Sequence, residues 1–188
     1  MAKRSASKIR FSATLLRPKA TAKAVSWTFL TLPNEASAKL PSRSMTSVEG
    51  TFNGLAFQAT LEPDGQGGHW LKVDKKMREE ASVEAGDVFT LEIAPVAEEP
   101  EPRLPADVRK ALAAAPLGAR NVWSEITPIA RRDWIHWIVS AKQAETRSRR
   151  IRTACDMLAK GKRRPCCFDR SGMYDKSLRC PIADDTSK

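Results

Sequence analysis

The chain changes rhythm about halfway along. Up to about residue 95 apolar positions mostly alternate with polar ones, and beyond about residue 106 they recur every three or four residues. The first spacing lines one face of a strand, the second one face of a helix. Phe11, Ala13 and Leu15 predict a first strand, broken by Pro18. Trp27 and Phe29 share a face of a second strand that ends near Leu32-Pro33. Asn34 to Leu40 predicts a short helical turn, with Asn34 as its cap and Pro41 as its stop. Val48 to Phe52 and Leu55 to Leu61 flank Asn53-Gly54, a pair that tolerates the positive φ angles of a two-residue hairpin turn. After the glycine-rich turn at 63–68, His69 to Val73 predicts a short strand. Asp74 then caps a helix from Lys75 to about Ser82, Met77 and Ala81 facing inward. Gly86-Asp87 turns into a last strand, Val88 to Ile93. Short strands with one inserted helix predict a small barrel rather than a doubly wound sheet.

Pro95 to Pro105 carries four prolines with Glu98, Glu99 and Glu101, which predicts an extended, solvated linker. The domain reading is therefore a small β domain at 8–95, a linker at 96–105 and a basic helical region at 106–162, with a tail at 163–188 that is disordered or lies loosely on the surface. Within the helical region, Asp107 to Ala115 and Ala119 to Glu125 predict two short helices. Thr127 caps a long one with Pro128 at its first position, where a missing N–H costs nothing. Trp134, Trp137, Ile138 and Ala141 point inward, and Ile151, Cys155 and Leu158 continue the stripe. Glu145 and Thr146 interrupt it, so a bend or break is expected near there. Gly161 suits the C-terminal end.

Charge sharpens the division. The net +10 is uneven: residues 1–100 hold 13 basic and 12 acidic side chains, residues 101–188 hold 19 and 10. Thr127 to Arg164 alone carries 11 of the 32 Lys and Arg residues. Arg131, Arg132, Lys142, Arg147, Arg149, Arg150 and Arg152 are the candidates for contact with nucleic acid, another anion or an acidic protein. All but Arg147, which has a structural reading below, are expected to point mostly outward. The competing reading of the same residues is a solvated helix face.

Candidate chemistry adds little. Cys166 and Cys167 are adjacent, Cys155 and Cys180 stand apart, and His69 and His136 are distant, so no zinc-ligand spacing is present. A thiol enzyme using Cys166 or Cys167 would need a base, and the tail offers no histidine. The glycines at 65–68 lack a following Lys-Ser/Thr and read as a loop, not a phosphate cradle. The expectation is a protein that is not an enzyme and uses no cofactor and no metal. No apolar run approaches the ~18 residues of a membrane span. The basic N-terminus has no apolar stretch behind it, which predicts a cytoplasmic protein.

Three stretches of the first half, Trp27-Thr-Phe-Leu-Thr-Leu-Pro33, Val48-Glu-Gly-Thr-Phe-Asn-Gly54 and Val83-Glu-Ala-Gly-Asp-Val88, resemble the small β-barrel domain of unknown function found in the YdeI/OmpD-associated (bacteriocin-protection) family. In the second half, Ala141-Lys142-Gln-Ala-Glu145-Thr146-Arg147-Ser-Arg149-Arg150-Ile151 resembles that family's helical region. The resemblance implies an α+β protein: an N-terminal double-split β-barrel, similar in shape to AbrB- and MazE-like regulators, followed by a C-terminal helical region. It implies no catalytic residues. Two functional readings remain. One is a binding or regulatory protein that contacts nucleic acid through its basic half. The other is a protein-interaction module linked to bacteriocin or envelope-stress protection, with Glu145, Arg147, Arg149 and Arg150 structural, tying the long helix to the barrel or to the linker acids Glu98, Glu99 and Glu101.

Overall fold

A computed structural model describes residues 7–19, 26–166 and 179–184 of the chain. It is α+β and divides into two compact units, residues 98–168 forming one and residues 1–97 with 169–188 the other.

The first unit is a curled antiparallel sheet. Its strands are β1 (Ile9–Thr14), β2 (Thr28–Thr31), β3 (Thr46–Phe52), β4 (Leu55–Pro63), β5 (His69–Val73) and β6 (Val88–Pro95), in the order β1-β6-β3-β4-β5-β2. Two short helices interrupt them, α1 (Asn34–Ala38) and α2 (Lys75–Glu80). The hairpin turn lies at Asn53 and Gly54, with φ of 49° and 84°. Asn53 Nδ2 also donates to Ala81 O at 3.0 Å, tying the hairpin tip to the end of α2. Asp74 accepts from Met77 N at 2.8 Å, as its capping position predicts. Asn34 does not cap α1. Pro33 holds that position and Asn34 is the first helical residue.

The sheet curls because β4 changes partner along its length. Its first seven residues pair with β3, and Glu62 and Pro63 pair with β5. Beyond the end of β1, Leu16 and Phe29 exchange backbone hydrogen bonds of 2.7 and 2.9 Å, so the two edges of the sheet meet. Leu15, Leu30, Val48, Phe52, Leu61, Leu71, Val73, Leu91 and Ile93 fill the interior. Gly50 faces β6 where an added Cβ would overlap the carbonyl of Glu92. Trp27, Phe29 and Trp70 do not belong to this core. They make ring contacts of their own, 6.5 Å between Trp27 and Phe29 and 6.3 Å between Phe29 and Trp70.

The described end of the tail is placed by backbone pairing. Lys19 N donates to Ile182 O at 2.7 Å and Asp184 N to Arg17 O at 2.9 Å, so residues 182–184 lie antiparallel to residues 17–19. Short β pairing of this kind needs no side-chain pattern, which is why the composition did not announce it. Pro165, at the other end of that segment, is buried.

The second unit packs α3 (Ala106–Ala114), α4 (Leu117–Glu125), α5 (Pro128–Val139) and α6 (Ala144–Ala159). Its core holds Val108, Leu112, Ala119, Ile126, Ala130, Trp134, Ile138, Ala154 and Leu158. The expected long helix breaks at residues 140–143, just before Glu145 and Thr146, which lie in the first turn of α6, and Gly161 follows α6 with φ of 79°.

Candidate functional site

Thr127 starts α5 by accepting from Ala130 N at 3.3 Å, and Pro128 occupies the first turn. This fixes three consecutive charged residues one turn in. Arg131 donates from Nε to Trp123 O at 3.0 Å and from Nη2 to Ser124 O at 2.8 Å. Those are orphan carbonyls at the C-terminal end of α4, where a cation is also favoured by the helix dipole. Its Nη1 reaches Glu101 Oε2 at 2.6 Å. Arg132 pairs with Glu99, and both side chains are largely buried, at 12% and 15% exposure. Asp133, itself buried, accepts from Arg164 Nη1 at 2.7 Å.

Helix α6 uses its arginines in the same way. Arg147 makes a two-pronged contact with Asp107, Nε to Oδ2 at 2.7 Å and Nη2 to Oδ1 at 2.9 Å. The guanidinium holds the Asp107 carboxyl below the usual carboxylate range, and that hydrogen bond in turn raises Arg147. Arg150 donates to Trp137 O and to Ser140 Oγ, closing the C-terminal end of α5. Its guanidinium also lies 5.3 Å from the centre of the Trp137 ring.

Arg131, Arg132, Arg147 and Arg150 are therefore turned to partners within the unit, which corrects the expected outward position of Arg131, Arg132 and Arg150. Each is committed to a carboxylate, a helix end or an aromatic face. Lys142, Arg149 and Arg152 are exposed and make no ion pair with any of the described residues. The exposed face of α6 that bears Arg149 and Arg152 also bears Glu145 and Asp156, at four-residue spacings on either side. The linker expectation is corrected too. Glu99 and Glu101 are both paired to arginines of α5, Glu99 enclosed and Glu101 still exposed to solvent.

The β unit carries one carboxyl that sequence reasoning passed over. Burial raises Glu62 to about 7, with Lys72 acting against the shift. It pairs across the sheet with Trp70. Period two places Glu62 opposite the core residue Leu61, but nothing in the sequence says that its carboxyl is buried. His69 is buried and burial lowers its pKa, while its Nε2 lies 3.2 Å from Ser44 O.

Two of the thiols, Cys155 and Cys180, are shifted away from activation. Burial raises Cys155, and burial with Asp64 nearby raises Cys180 to about 11, against the lowered pKa that a thiolate nucleophile needs. Cys166 is exposed, and Cys167 lies outside the described residues. Among the described residues no three His, Cys, Asp or Glu side chains cluster as metal ligands, and no helix is long and apolar enough to cross a membrane.

Comparison with known proteins gives the chain its relatives. A search of curated proteins gives no match. Residues 11–93 match the family profile described as a domain of unknown function (DUF1905). Residues 101–161 match the profile described as Bacteriocin-protection, YdeI or OmpD-Associated. The two matches fall one on each compact unit, and the chain belongs to the YdeI/OmpD-associated, bacteriocin-protection family, with an N-terminal DUF1905 domain.

Proposed function

We propose that this chain is a non-enzymatic protein-interaction module serving bacteriocin protection, and that its α5 and α6 arginines serve its own fold. The observation that carries this reading is the commitment of Arg131, Arg132, Arg147 and Arg150 to internal partners. A nucleic-acid face needs cations in a run that follows the phosphates. Here the exposed Arg149 and Arg152 stand between Glu145 and Asp156, and those carboxylates would repel phosphate. Mixed charge suits a protein surface, where complementarity selects the partner. The β unit is read as a small double-split barrel; the meeting of its edges at Leu16 and Phe29, and the placing of α2 between β5 and β6, support that reading.

The test has two arms. Fluorescence anisotropy with duplex DNA and with RNA is expected to give no saturable binding at physiological salt. A log–log salt slope of about −0.9 per phosphate, summing to several contacts, overturns the reading in favour of a nucleic-acid protein. In cells lacking the protein, Arg149→Glu with Arg152→Glu is expected to fail to restore bacteriocin survival while the purified variant keeps its helical circular dichroism. Full restoration by that variant removes the α6 face from the interaction.

A further inference from the structure

The two ends of the helical unit meet on one turn of α5. Glu99 and Glu101 of the incoming segment pair with Arg132 and Arg131, and Arg164 of the outgoing segment pairs with Asp133. A helix rises about 1.5 Å per residue, so the three anchoring positions span roughly 3 Å along its axis. Glu99 and Arg164, 65 positions apart (164 − 99), are thereby anchored to neighbouring residues of one helical turn.

We propose that Arg131-Arg132-Asp133 is an ionic clasp that sets how much free chain joins the helical unit to the β unit. The last anchor on the β side is Val96, whose N–H donates to Ser47 O at 3.1 Å. The first on the helical side is Glu99. With the clasp shut, only residues 97 and 98 lie between. With it open the free stretch runs to Arg103, since Leu104 packs on the helical core and accepts from Arg109 at 3.5 Å. Five added residues in an extended, proline-rich backbone lengthen the reach by roughly 15 Å.

Two features make this segment a strap rather than part of the core. Residues 96–105 form neither helix nor strand, and Pro100 and Pro102 have no N–H to donate. Its named anchors are therefore side-chain carboxylates. The anchors are also graded. Glu101 and Arg164 are 58% and 50% exposed, while Glu99 and Arg132 are mostly enclosed. Screening lengths fall from about 10 Å at 0.1 M salt to about 3 Å at 1 M, and act mainly on exposed charges. Salt thus loosens the Glu101 and Arg164 anchors first, and loss of charge at Glu99 is needed to free the strap.

The test is tryptic cleavage after the exposed Arg103 in the full-length protein, normalised to a peptide of the same strap sequence. Cleavage of a transiently opened segment follows the open population, so Glu99→Gln with Glu101→Gln is expected to be cut at least about tenfold faster than the wild type at low salt. Raising salt to about 0.5 M, which loosens the Glu101 anchor but not Glu99, speeds cleavage of the wild type by less than the double substitution does and leaves the variant unchanged. A variant cut at the wild-type rate, with its helical circular dichroism intact, overturns the proposal. Should that variant lose helical signal, the pair Arg132→Glu and Glu99→Arg/Arg132→Glu decides. The swap is expected to restore slow cleavage, and equal rates in the two overturn the clasp.

Discussion

In the β unit the lysine ion pairs sit on the surface, and one enclosed arginine, Arg78, reaches the exposed Glu84 at 3.8 Å. Lys8–Glu92, Lys75–Glu79 and Lys76–Glu80 each have a lysine more than 60% exposed, at 74%, 62% and 83%. In the helical unit the arginines of α5 and α6 pair at 12%, 18% and 28% exposure, and their partners come from other segments. The reason lies in what each kind of structure leaves unsatisfied. A sheet whose strands pair along their lengths satisfies its own backbone and needs only an apolar interior. Four short helices leave C-terminal carbonyls open, and each offers a narrow apolar stripe. Arg131 at the end of α4 and Arg150 at the end of α5 fill those openings, and their charge then draws in carboxylates or an aromatic face. The helical unit's surplus of basic residues is thus partly a consequence of how it is built.

Removing core volume produces the largest effect and tests whether the two units unfold alike. Phe52→Ala in the β unit and Trp134→Ala in the helical unit are each expected to cost about 3–5 kcal/mol, read by urea unfolding. Trp134→Ala is expected to remove the helical signal selectively, and equal loss of both units' signals in each variant would merge what the comparison separates. The next effect is a pH slope confined to the β unit. Glu62 keeps its proton up to about 7 when folded but titrates near 4.5 in the unfolded chain. Between those values the folded state binds more protons, so stability falls as pH rises from 4.5 to 7 and levels off above. Glu62→Gln is expected to flatten that slope and to stabilise the protein at pH 8 by roughly 1–3 kcal/mol, measured by unfolding across pH. The third is a contrast between arginine pairs. Arg132→Gln leaves Glu99 enclosed without its cation and is expected to cost about 2 kcal/mol, less than a fully buried pair. Lys75→Gln on α2 is expected to change stability by less than about 0.5 kcal/mol. Equal costs for the two would erase the difference between the units.

Much of the fold was legible because local rules agreed with one another. The Asn53-Gly54 turn, the Asp74 and Thr127 caps, Pro128 and Gly161 each announce an element end by backbone chemistry alone. The Asn34 cap failed because the extended Pro33 before it takes the cap position, and the helix starts one residue early. The candidate site was legible as composition but not as geometry. Seven cations could be named from their spacing; which ones face solvent depended on acids 30 to 40 positions away, such as Glu101 for Arg131 and Asp107 for Arg147. The linker's composition reads as solvated, and the reading that ties its acids to the long helix names Arg147, Arg149 and Arg150, where the structure uses Arg131 and Arg132. Glu62 gave no signal at all, because burial of its carboxyl is decided by packing and not by the alternation around it.

By itself, the sequence determined the period of each half, the places where helices and turns begin and end, the uneven charge, and the two family relationships. These rest on residues close together in the chain, where steric preference and backbone hydrogen bonding act. Tertiary structure alone decided the strand order that brings Leu16 to Phe29 and the return of residues 182–184 to residues 17–19. It also decided the conversion of Arg131, Arg132, Arg147 and Arg150 from surface cations into fasteners. An ion pair or a strand pairing between distant segments leaves no mark on either segment alone, because its energy exists only once packing has brought the two together and removed water from between them.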